Sequence, residues 1–66
     1  MIVAPPNAYP YGTYMQKKHG SLWRGKIVGY YSTVNTPLGY AIESFFEPGS
    51  VQIYPAQALE LWEPEK

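Results

Sequence analysis

A chain of 66 residues with no cysteine and a single histidine has room for one domain, and within one copy it can build neither a disulfide nor a His/Cys metal site. Five basic and five acidic residues cancel to a formal charge of zero, which argues against a nucleic-acid partner, yet Lys17, Lys18, Arg24 and Lys26 fall within ten positions while every acid is a glutamate from Glu43 onward. No apolar run reaches the length of a membrane span or signal-peptide core, so a cytoplasmic protein with no membrane partner is expected. A domain this short buries only about 60% of the surface its unfolded chain exposes, so association between copies is its expected support.

In chain order, residues 1–11 hold three prolines and no usable period, and read as a flexible N-terminal arm. A first short strand runs from Tyr14 to Lys18, with His19 and Gly20 as the turn. The segment from Ser21 to Ser32 alternates and is the longest strand. Strict alternation puts Trp23, Gly25, Ile27, Gly29 and Tyr31 on one face and Arg24, Lys26, Val28 and Tyr30 on the other. Two glycines on one face point to a sharp bend.

Asn35 to Gly39 is a loop by its turn residues, Tyr40 to Ser44 a third strand, and Pro48-Gly49 suits a type II turn. Val51 to Tyr54 is the fourth strand, with Val51 and Ile53 on one face and Gln52 and Tyr54 on the other. Pro55 stops it, "AQA" makes one helical turn, and "LELW" closes as a fifth strand before a charged tail at 63–66. This pattern predicts an all-β fold, a small five-stranded SH3-like barrel over 12–62.

Much chemistry is missing. Without Asp or Cys, and with His19 beside a glycine in a turn, no nucleophile triad can be assembled within one chain. The five glutamates are spread over a strand end, a turn, the last strand and the tail, so a facing carboxylate pair is not expected, and there is no phosphate-cradling glycine motif. An enzyme built from this chain has to work by binding and orientation.

The run from Lys17 to Glu60 is more specific. "SVQIYP" at Ser50 to Pro55, Lys17-Lys18, Trp23, "IVG" at 27–29, Thr36-Pro37, Gly39-Tyr40-Ala41 and Glu43-Ser44 stand in one ungapped register. This register resembles the plasmid-borne type II dihydrofolate reductases, the trimethoprim-insensitive enzymes unrelated in fold to the chromosomal enzyme. The resemblance implies a homotetramer of SH3-like barrels around one central pore, and hydride transfer from NADPH to dihydrofolate. It implies that Gln52, Ile53 and Tyr54 form the catalytic surface. By the same resemblance the cofactor would be met by Lys17, Ser50, Gln52, the backbone of Ile53 and the Tyr54 hydroxyl, and the substrate by Lys17, Gln52 and Ile53. Glu47 stands where the family commonly carries a histidine before Pro-Gly, and Phe45-Phe46 in a usually smaller, more polar stretch.

From the residues alone, the competing reading is a non-catalytic SH3-like module that uses its tyrosines to bind a proline-rich peptide or single-stranded nucleic acid.

Overall fold

A computed structural model describes residues 5–20 and 22–63. They form five strands: β1 (Tyr14–Lys17), β2 (Arg24–Tyr31), β3 (Gly39–Ser44), β4 (Val51–Pro55) and β5 (Leu59–Leu61), with one 3₁₀ turn (Ala56–Ala58) between β4 and β5. All neighbours are antiparallel, in the order β4-β3-β2-β1-β5. The five elements and the helical turn match the sequence expectation to within a residue or so, apart from the second strand, which is shorter at its start.

The chain is all-β, but its sheet is not closed by hydrogen bonds: β4 and β5 are its two edges, with no ladder between them. Pro55 has no N–H to donate, and the 3₁₀ turn carries the chain away before a β5 of only three residues begins. The sheet nevertheless curls. Met15 of β1, Ile27 of β2, Tyr40 and Ile42 of β3 and Leu59 of β5 meet in one buried cluster. Each such side chain contributes about 1.5–3 kcal/mol by leaving water.

The curl has a local cause. The β2–β3 register runs Gly25 to Ser44, Lys26 to Glu43 and Ile27 to Ile42, then slips, so that Gly29 opposes Ala41 and Tyr30 opposes Tyr40. Val28 is thus an extra residue, a bulge that bends and twists the strand. It also reverses the face alternation beyond it. Tyr30 therefore shares the core face with Ile27 and packs on the core cluster, and Tyr31 does not, contrary to strict alternation.

The two strand glycines have different reasons. Gly29 adjoins the bulge, as a bend requires. At Gly25 the reason is close approach: a β-carbon there would collide with the Glu43 carbonyl oxygen of the neighbouring strand. Gly49, at φ +90°, serves the turn before β4.

Residues 5–11, read from sequence as part of an arm, lie against the sheet. The Tyr9 N–H donates to the Tyr40 hydroxyl at 3.1 Å, and the Tyr30 hydroxyl donates back to the Tyr9 carbonyl at 2.7 Å. Ala8 packs on the core, and the Tyr11 ring meets Tyr30 edge-on at 5.7 Å. Residues 1–4 of the expected arm and 64–66 of the expected tail lie outside the described residues, as does Ser21. Among the described residues no helix is long and apolar enough to cross a membrane.

Candidate active site

The residues singled out in the fourth strand do come together. Gln52 and Tyr54 oppose Ile42 and Tyr40 of β3, so both project from the core face of the sheet at its edge. The Tyr54 hydroxyl donates to Gln52 Oε1 at 2.6 Å. Lys17, at the far end of β1 and on the same curled face, brings its Nζ to 5.1 Å from the centre of the Tyr54 ring, within cation–π range. Gly20, at φ +83°, closes the turn after β1, and a β-carbon there would meet Lys17 Nζ at 3.4 Å. Sequence reasoning took Gly20 only as a turn; its nearness to Lys17 depends on the turn geometry.

Burial pushes the Tyr54 hydroxyl above its ordinary value, so it keeps its proton through the neutral range and remains a donor. Gln52 is exposed and Tyr54 half-buried, which leaves amide, phenol and ammonium in one accessible patch.

Ile53 contributes differently. Its side chain points to the opposite face, where it is 60% exposed. Its main chain faces the open edge. The Ser44 N–H bonds the Ser50 carbonyl at 2.9 Å and the Ala56 N–H bonds the Leu38 carbonyl at 3.0 Å. In an antiparallel ladder the bonded residues alternate, so Ser50, Gln52 and Tyr54 turn their main chain toward β3 and Val51 and Ile53 turn theirs outward. An N–H and a C=O side by side on such an edge can pair with a carboxamide or with another strand.

Ser50 is half-buried just before β4; its N–H donates to the Glu47 carbonyl at 2.9 Å, closing the turn that aims the strand. No described acid is hydrogen-bonded to Gln52 or Tyr54. The Glu43 carboxylate accepts from the Gly49 N–H at 2.7 Å and the Glu60 carboxylate from Gln16 Nε2 at 2.7 Å, while Glu47 is exposed. Among the described residues no cluster of His and Glu could hold a metal ion.

Two hollows among the described residues lie elsewhere. One of about 400 Å³ is walled by Tyr14 and Trp62, and one of about 370 Å³ lies between Thr36 and Pro55. Neither includes Lys17, Gln52 or Tyr54, so in one copy the patch is an open surface.

The Phe45 ring packs edge-on against Tyr14 at 4.8 Å and lies tilted against Trp62 at 5.4 Å, beside the Arg24 guanidinium, which lies 4.9 Å over Trp62. Trp23 is half-buried against the core and donates its Nε1–H to the Ile42 carbonyl at 3.2 Å.

Known proteins resemble the chain over most of its length. The model of the R67 dihydrofolate reductase family matches residues 2–62. Two curated proteins of Escherichia coli, both named dihydrofolate reductase type 2, are similar to the chain. One is 56% identical over 60 residues, which is 89% of this chain and 77% of that protein. The other is 57% identical over 49 residues, 74% of this chain and 63% of that protein, so the match spans slightly less than two thirds of the second relative.

Proposed function

The chain belongs to the R67 dihydrofolate reductase family and is a dihydrofolate reductase, and from that premise we propose that it moves a hydride from NADPH to 7,8-dihydrofolate in a pore shared by four SH3-like subunits, insensitive to trimethoprim. The observation that carries this reading is the juxtaposition of Lys17, Gln52 and Tyr54 beside the outward-facing main chain of Ile53.

The donor set suits both ligands. NADPH and dihydrofolate are anions with flat rings that carry amide-like edges. Lys17 supplies the charge that draws phosphates and a glutamate tail to the patch. The Ile53 N–H and C=O offer a matched pair to a carboxamide, while Gln52 packs against and hydrogen-bonds the rings. Tyr54 and Ser50 border the cofactor side. When bound, the cofactor supplies the hydride, and the chain's residues orient the two rings and exclude water between them.

Proton delivery falls to solvent acting on an already protonated substrate, a reading supported by the fact that no described carboxylate is hydrogen-bonded to Gln52 or Tyr54. Among the described residues, the carboxylates hydrogen-bonded elsewhere, Glu43 and Glu60, are not offered to a cationic diaminopyrimidine such as trimethoprim. A pore built from several copies is supported by the open β4 edge, by Val51 and Ile53 at 46% and 60% exposure, and by the shallowness of the patch in one copy.

The test is spectrophotometric: purified protein, shown by sedimentation to be a tetramer, should oxidise NADPH on addition of dihydrofolate, with an unchanged rate when trimethoprim is added. An inert tetramer, or one stopped by trimethoprim, would overturn the proposal.

A further inference from the structure

Tyr54 touches two ligand-facing groups with different parts of one side chain. Its ring face meets the Lys17 ammonium at 5.1 Å, and its hydroxyl donates to Gln52 Oε1 at 2.6 Å. Lys17 and Tyr54 stand on β1 and β4, which are not neighbours in the sheet, so no ladder of main-chain bonds sets their separation.

We propose that Tyr54 is a positioning residue for both groups: its ring holds the Lys17 ammonium toward the Gln52 patch, and its hydroxyl fixes the orientation of the Gln52 amide. The proposal rests on the reductase reading and deepens it.

The ring acts as follows. A lysine ammonium on a flexible four-carbon stem samples a wide volume unless something bounds it. Here the aromatic face bounds it on one side and the Gly20 turn on the other, where even a β-carbon would come within 3.4 Å of Nζ. The cation is thereby kept over the end of β4, where an anionic ligand lying along Gln52 meets it.

The hydroxyl settles a separate ambiguity. A primary amide can present either its oxygen or its NH₂ to a ligand. By occupying Oε1, Tyr54 leaves both Nε2 hydrogens for the ligand, so the patch selects ring carbonyls over ring donors. Burial keeps the phenol protonated and therefore able to donate.

Two substitutions separate the two roles. Tyr54→Phe keeps the ring and loses the hydroxyl; Tyr54→Leu loses both. In the ligand-free protein, the Lys17 ε-methylene protons are expected to carry an upfield ring-current shift, retained in Tyr54→Phe and lost in Tyr54→Leu. The Gln52 side-chain amide resonances are expected to move toward unstructured values in both. With NADPH as the probe, Tyr54→Phe should keep the wild-type dependence of affinity on salt. Tyr54→Leu should flatten it toward that of Lys17→Met and weaken binding about threefold at low salt.

A Lys17 shift absent from the wild type, or an unchanged salt dependence in Tyr54→Leu, would overturn the role of the ring. Unmoved Gln52 resonances in Tyr54→Phe would overturn that of the hydroxyl. Should Tyr54→Leu fail to fold, the wild-type and Tyr54→Phe spectra decide both points. Failure of the wild type to bind NADPH would instead sink the reductase reading, while the ligand-free spectra would still report on Tyr54.

Discussion

The Tyr9 N–H donates to the Tyr40 hydroxyl at 3.1 Å across 31 positions of sequence, and the Tyr30 hydroxyl returns a bond to the Tyr9 carbonyl at 2.7 Å. Two tyrosines of adjacent strands thus clamp the N–H and the C=O of one residue, Tyr9, in a proline-rich segment onto the sheet. Replacing Tyr40, which is buried, by Phe removes the acceptor for the Tyr9 N–H, with an expected loss of about 1 kcal/mol in urea unfolding. An unchanged midpoint would mean that the clamp adds nothing to stability.

Alkaline pH should loosen the same region. The Tyr30 hydroxyl is held above its ordinary value by burial first and then by the nearby Tyr11 and Tyr40, and the Tyr54 hydroxyl by burial alone. Each folded pKa is raised, so the native state binds the proton more tightly than the unfolded chain does. The contribution is whole below the unfolded pKa of about 10 and is lost as pH rises from there through the folded value. Thermal melts should show stability falling above about pH 10, with a smaller fall in Tyr30→Phe. Equal slopes in the two proteins would contradict this.

The two adjacent phenylalanines should behave differently on truncation. Phe45 packs with Tyr14 and Trp62, whereas Phe46 is 63% exposed. Phe45→Ala is expected to cost about 1–2 kcal/mol, in keeping with the aromatic pairs and apolar area it loses. Phe46→Ala should stay within about 0.5 kcal/mol, as exposed positions do. Denaturant titration of both variants checks the contrast.

If one cation serves both anions, as proposed, replacing Lys17 by Met should raise KM for NADPH and for dihydrofolate together. For the wild type, raising salt should weaken both, as the screening length falls from about 10 Å at 0.1 M to about 3 Å at 1 M. KM values that ignore salt and the substitution alike would remove Lys17 from the site.

The parts that were legible in the sequence are those set by local patterning. Alternation and turn residues located the five strands, and the two-residue period put Gln52 and Tyr54 on one face. What escaped was non-local. The bulge at Val28 has no compositional mark, yet it exchanges the roles of Tyr30 and Tyr31. Prolines in residues 5–11 suggested an unattached arm, because the hydroxyls that bind Tyr9 lie 21 and 31 positions away. Phe45 finds its partners on β1 and just beyond β5. Lys17 and Tyr54 meet across β1 and β4, which are not neighbours in the sheet, and although the glycines of β2 pointed to a bend, nothing in the strand pattern pairs these two residues.

The central claim is that this patch transfers a hydride from cofactor to folate, and isotope tracing tests it most directly. NADPH carrying deuterium at the transferable position of its nicotinamide is incubated with dihydrofolate and the purified protein, and the folate product is weighed by mass spectrometry. Tetrahydrofolate bearing one deuterium is the expected result, with Lys17→Met giving the same labelled product more slowly. Oxidation of NADPH without deuterium in the folate, or no tetrahydrofolate at all, would contradict it.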